Sequence, residues 1–146
     1  IKSLIMLRKI LATIASIIAA SLSIYLIETL GHLLFPFPEG AKPMDMEWIK
    51  NNIDLIPRGS MIAVIIAHGV GIAVGMFIAG LIAKTSIIPA YIVAGFMVVA
   101  TIANWFMIPS PTWFYIADGI SVIAGFLFGK PLARRHIYGK IETIRS

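Results

Sequence analysis

The sequence predicts an all-α membrane protein: a four-transmembrane-helix antiparallel bundle, N-in/C-in, with a short interfacial helix in the outer loop. Three observations predict it. Of the 146 residues, 59% are hydrophobic and 13% charged, against roughly a quarter charged in an ordinary soluble domain. The mean hydropathy is +0.93, and a small soluble fold leaves too much surface in water to hide such a composition. Four apolar runs, each near the ~20 residues that cross a bilayer core as helix, are separated by proline or lysine breaks. A water-soluble enzyme and a disordered chain are excluded on these grounds.

The first span, 5–35, is built on the apolar run from Ile10 to Ile27 and ends at Pro36 and Pro38, because proline lacks the N–H and crowds the preceding turn. Lys2, Arg8 and Lys9 ahead of Ala19-Ala20-Ser21 have the look of a secretory signal. The run exceeds the roughly 7–15 residues of such a signal's apolar part, so an uncleaved first helix is expected. In the outer loop, 36–58, Asp45 can cap a short helix with Glu47 in its first turn, where the helix dipole favours it. Trp48, Ile49, Ile53 and Ile56 would lay an apolar face on the membrane surface, with Trp48 as an interfacial anchor. The second span, 59–83, carries no formal charge from Met61 to Ala83 and stops at Lys84. The third, 86–108, stops at Pro109-Ser110-Pro111. The fourth, 112–129, is short and holds Asp118. Trp105 and Trp113 fall at the same outer boundary as Trp48 and read as depth anchors. The tail, 130–146, is basic with Leu132, Ile137, Tyr138, Ile141 and Ile144 interleaved, and is expected to lie on anionic lipid. His136 reads there as a solvated or headgroup contact.

Orientation follows from the basic residues near the span ends. Nine of the twelve (Lys2, Arg8, Lys9, Lys84, Lys130, Arg134, Arg135, Lys140, Arg145) fall on one side, and Lys42, Lys50 and Arg58 on the other. The first side is expected to be cytoplasmic, in a bacterial inner membrane. A pI near 9.8 would suggest nucleic-acid binding in a soluble protein; here the charges flank apolar runs, and no nucleic-acid partner is expected.

Lipid provides no hydrophobic drive for helix association, so small residues that admit close approach matter. The second span repeats them at Ala67, Gly71, Gly75, Ala79 and Ala83; the fourth at Ala117, Ser121, Gly125 and Gly129. They are expected to pack the bundle internally; docking on another membrane protein or a second copy is the alternative.

Ionisable groups within a membrane are costly and usually functional. Glu28 and His32 share a face of the first span, four residues apart. With His68, Asn104 and Asp118 they make five polar residues from four helices in the outer half of the bilayer. A hydrogen-bonded knot fixing helix rotation is one reading. A proton or solute site is another, since histidine titrates near neutral pH. Two histidines and two carboxylates could bind zinc, manganese or iron, and His32 with His68 could ligate heme b; no cofactor is expected. With no cysteine, disulfides, thiolate nucleophiles, iron–sulfur clusters and CxxC heme attachment are excluded. No GxSxG, HExxH or phosphate-loop pattern occurs.

The segment Glu28-Thr29-Leu30-Gly31-His32-Leu33-Leu34-Phe35-Pro36 resembles the E-x-x-G-H-x-x-F/Y-P signature of a family of small, uncharacterised bacterial inner-membrane proteins. The resemblance continues in Pro38-Glu39-Gly40, in Asp45-Met46-Glu47, and from Ala103 to Phe114. It implies four spans and no particular activity. The family tends to carry Trp near the place of His68, so the resemblance implies no role for that histidine. Lacking a reaction motif and having two small-residue stripes, the chain is expected to be non-catalytic, an accessory, scaffold or small subunit of a membrane assembly. A small solute or proton-coupled transporter is the alternative, and a redox subunit the third.

Overall fold

The computed structural model describes the backbone of residues 1–142 and the side chains of 1–137. Its helices are α1 (Lys2–Leu34), α2 (Met46–Asn51), α3 (Arg58–Ala83), α4 (Ile88–Met107) and α5 (Thr112–Glu142), with a 3₁₀ turn at Ile53–Leu55. No strand occurs among the described residues. Four of the helices (α1, α3, α4 and α5) are long and apolar enough to cross a membrane. Pro36 and Pro38 follow α1, the Pro109–Pro111 turn separates α4 from α5, and Pro89 sits in the first turn of α4, where its missing N–H costs nothing.

Helix α3 is the centre: half of its most apolar window is buried, against 17% for α1 and 28% for α4 and α5. Its sequence gives it two opposed small faces. Gly71 and Gly75 admit α1, Gly71 meeting Ile24 and Gly75 meeting Ala20, with Val93 of α4 alongside. Two residues earlier, and so about 200° round the helix, Gly69 meets Ser121 and Gly125 of α5, and further down Gly80 meets the backbone of Ala133. Gly129 rests on Met76 and Ala73. Below these contacts a core of Ala20, Ile72, Met76, Ala79, Ala90, Val93 and Met97 fills the middle of the bundle. Arg8 Nε donates to the Ile82 carbonyl at 2.6 Å, tying the start of α1 to the end of α3.

The helix that contains the fourth expected span, 112–129, runs beyond 129. Helix α5 continues through Pro131, although proline there removes one backbone bond; Ala133, packed against Gly80, extends the seam with α3, and Ile137 is buried. His136, exposed, lies edge-on to Phe77 with centroids 5.2 Å apart. The expected apolar series of the tail at Tyr138, Ile141 and Ile144, with Lys140 and Arg145, lies outside the described side chains.

Helix α3 closes on Lys84, whose φ of 58° is left-handed while its N–H donates to the Gly80 carbonyl at 3.1 Å. A side chain in that conformation costs about 1–2 kcal/mol, partly offset by a few tenths from a cation beside the helix C-terminus. Lys84→Gly should therefore raise stability by about 1 kcal/mol, read as a higher midpoint of thermal unfolding in detergent micelles.

The loop 35–57 folds over the opposite end of the bundle. Asp45 caps α2, its Oδ1 accepting from the Glu47 and Trp48 backbone N–H groups at 3.0 and 3.1 Å. Ile53 and Ile56, expected on the membrane surface, instead turn inward onto Met61, Ile65 and Phe114. Those three leave an apolar seat at the bundle end that the loop covers.

Candidate functional site

The polar residues gather at the capped end of the bundle. Packing pairs set their depth: Gly31 meets Ala63 and Ile24 meets Gly71, so Glu28, midway between, stands level with His68. Asp118, less than two turns into α5, is fully buried. His68 Nδ1 lies 2.9 Å from its Oδ1 and 3.0 Å from its Oδ2. With a carboxylate accepting, the shared hydrogen is on Nδ1. The indole Nε1–H of Trp105, from the last turn of α4, donates to Oδ2 at 2.7 Å. One carboxylate thus joins α3, α4 and α5. Ser121, one turn below, donates its hydroxyl to the Ile65 carbonyl at 2.6 Å, which holds α5 in the rotation that aims Asp118 at His68.

The sequence offers Trp105 as a depth anchor; the structure shows it as a donor to Asp118. Its ring is set by Tyr115, edge-on with centroids 5.8 Å apart. The Tyr115 hydroxyl in turn accepts from the Ser110 backbone N–H at 2.7 Å, closing the Pro109–Pro111 turn. The signal was present: Trp105 and Asp118 flank a short turn, and an indole is long enough to cover the difference in depth. Of the other expected anchors, Trp113 lies partly exposed and edge-on to Phe114, and Trp48 is half-buried on α2.

Glu28 is half-buried and takes no part in that knot; no hydrogen bond to its carboxylate occurs among the described residues. It lines two cavities. One, of about 270 Å³, lies beneath the loop, between the apolar residues Met46, Ile49, Ile53 and Phe114 and the polar groups of Glu28, His32, Asn104 and Ser110. The other, of about 300 Å³, is a cleft between α1 and α4 with His68 in its lining. Asn104, half-buried, also lines both. No lysine or arginine lines either cavity. His32 is exposed and tilts against Phe37, with centroids 5.0 Å apart, so the four-residue spacing that puts it on the Glu28 face carries it above the bundle to the edge of the loop cavity.

The five polar residues therefore divide into a bonded pair, His68 with Asp118, and three groups, Glu28, His32 and Asn104, that line the loop cavity. Among the described residues no three histidine, aspartate or glutamate side chains are disposed to hold a metal ion. Every buried side-chain nitrogen and oxygen among them has a hydrogen-bond partner. The small residues marked by the sequence lie inside the bundle: Gly71, Gly75 and Ala79 are buried on α3, and Ser121, Gly125 and Gly129 face α3 from α5. The glycines of the second α3 face, Gly69 and Gly80, escaped the sequence reading, although Gly69, Ala73, Met76 and Gly80 repeat at helical spacing. The chain matches no protein-family model, no curated protein and no solved structure.

Proposed function

We propose that the protein is a small multi-pass carrier that binds a cationic solute at Glu28, in the polar cavity beneath its loop. One observation carries this reading: the Glu28 carboxylate, free of the His68–Asp118–Trp105 knot, lines two cavities that contain no lysine or arginine to pair with it. A carboxylate facing a largely apolar cavity is costly unless something of opposite charge completes it, and a small cation does so. Asn104 and Ser110 supply further oxygen acceptors, and the inward-turned isoleucines of the loop limit water around the ligand. An accessory or scaffold role rests on the small-residue stripes and on the lack of a reaction motif; with those stripes packed between α1, α3 and α5, the cavity is the stronger guide.

Nine basic residues near one set of span ends against three near the other support an orientation with both termini in the cytoplasm and the loop outside. The resemblance of residues 28–36 to the bacterial signature supports an inner-membrane location. The solute would then reach Glu28 from outside the cell, beneath a loop whose helix α2 lies near the interface.

The test is uptake of methylammonium into proteoliposomes down an imposed gradient. Glu28→Gln keeps the shape of the side chain and removes its charge, and should lower the initial rate at least tenfold. Flux equal to that of the unaltered protein in the Gln variant, or no flux above protein-free vesicles in either, would overturn the reading.

A further inference from the structure

Resting on the reading that Glu28 takes a cation, the geometry points to an amphiphilic monocation as the ligand, with its charge at Glu28 and its apolar part in the cleft between α1 and α4. The cleft is graded along its length. Its outer end carries Glu28, Thr101 and Asn104, and its inner end is walled by Ile24, Phe96 and Met97. Seven residues separate Glu28 from Ser21 and Asn104 from Met97, so the polar and apolar ends stand about 10 Å apart at 1.5 Å per residue. That is the length of a ring or short chain attached to a charged head.

The cleft also borders the region where lipid lies. Tyr25 and Phe96 flank it with 66% and 51% of their surface exposed, while further in Val93 of α4 and Ala20 of α1 both pack beside Gly75. Ala100 and Ser21, both small and exposed, leave the cleft unfilled. A hydrophilic ion gains nothing by extending into such a space from the loop cavity. A ligand with an apolar part does, because that part leaves water while its charge keeps the carboxylate. With Glu28 as its one carboxylate and no lysine or arginine in its lining, the cleft disfavours anionic amphiphiles such as fatty acids.

The experiment is equilibrium binding to the full-length protein in lipid nanodiscs, with empty nanodiscs as background. Three probes separate head from tail: benzyltrimethylammonium, tetramethylammonium (the head without the ring) and neopentylbenzene (the uncharged carbon analogue). Benzyltrimethylammonium should bind at least tenfold tighter than tetramethylammonium, and neopentylbenzene should not exceed background. Ala100→Phe, which fills the cleft from α4, should erase the advantage of the ring while leaving tetramethylammonium unchanged. Ser21→Leu should act in the same direction from α1, so that misfolding of either variant alone does not decide the result. If the ring confers no advantage, or if both cleft variants retain it while Glu28→Gln abolishes binding of both cations, the cleft is not the subsite and the Glu28 reading stands. If Glu28→Gln leaves both cations bound as before, the Glu28 reading fails together with this one.

Discussion

Asp118→Leu should be among the most destabilising single changes in the protein, and it should act without touching either cavity wall. Leucine keeps the branched outline of the side chain, and its bulkier methyl groups add some overpacking at this fully buried site. What is lost is the acceptor for two donors, His68 Nδ1–H and Trp105 Nε1–H, at a position with no exposure. Removing one member of a buried pair costs about 3–5 kcal/mol in soluble proteins. Interhelical bonds within membranes are worth less, roughly 0.6–2 kcal/mol each, because the unfolded chain in lipid also finds partners. For the two donors on this carboxylate the expected loss is therefore on the order of 1–4 kcal/mol, read by thermal or detergent-induced unfolding followed by helical circular dichroism. Asp118→Asn, which keeps one oxygen acceptor, should fall between. Pairing Asp118→Leu with His68→Leu should recover part of the loss, since two missing partners leave fewer orphaned groups than one. An Asp118→Leu variant as stable as the unaltered protein would show that the knot does not hold α3, α4 and α5 together.

The legible part of this molecule was what depends on distance along the chain. The breaks at Pro36, Lys84 and Pro109 and the similar depth of Glu28, His68, Asn104 and Asp118 follow from rise per residue. What the chain does not state directly is rotation about each helix axis. His68 pairs with Asp118 and not with Glu28 because the Gly69–Gly125 contact and the Ser121–Ile65 bond turn α3 and α5 toward each other on that side. Glu28 is left on the face that meets α4 across an unfilled cleft. Two glycine stripes about 200° apart carry that information, and only the Gly71–Gly75 stripe was read. The loop was legible in its cap at Asp45 but not in its direction, because an apolar face suits a membrane surface and a bundle end equally well until Met61 and Phe114 are known to be uncovered. The end of α5 was misplaced for a related reason. The chain considered alone places the fourth span at 112–129 with a basic tail after it, whereas Ala133, buried with its backbone against Gly80 of α3, lies on a helix that continues through Pro131.

Gly125→Leu is expected to do by steric force what Asp118→Leu does by removing bonds. A Cβ at Gly125 would run into the carbonyl group and Cα of Gly69, with the carbonyl carbon and Cα each 2.9 Å away. Those atoms are backbone inside an unbroken helix and cannot swing aside, so α5 itself must shift. Overpacking of this kind costs about 1–3 kcal/mol in a core that can relax. Here the shift also strains the Ser121 hydroxyl bond to Ile65, one turn away, and through it the approach of Asp118 to His68. Even Gly125→Ala should lower the unfolding midpoint. Gly95→Ala supplies the comparison: a Cβ there meets nothing within 4 Å, so the same chemical change should gain about 0.5–1 kcal/mol of helix propensity. Opposite signs for the two alanine variants would locate the effect in the α3–α5 seam. The same sign for both would mean that the close approach of Gly69 and Gly125 does not govern the stability of the bundle.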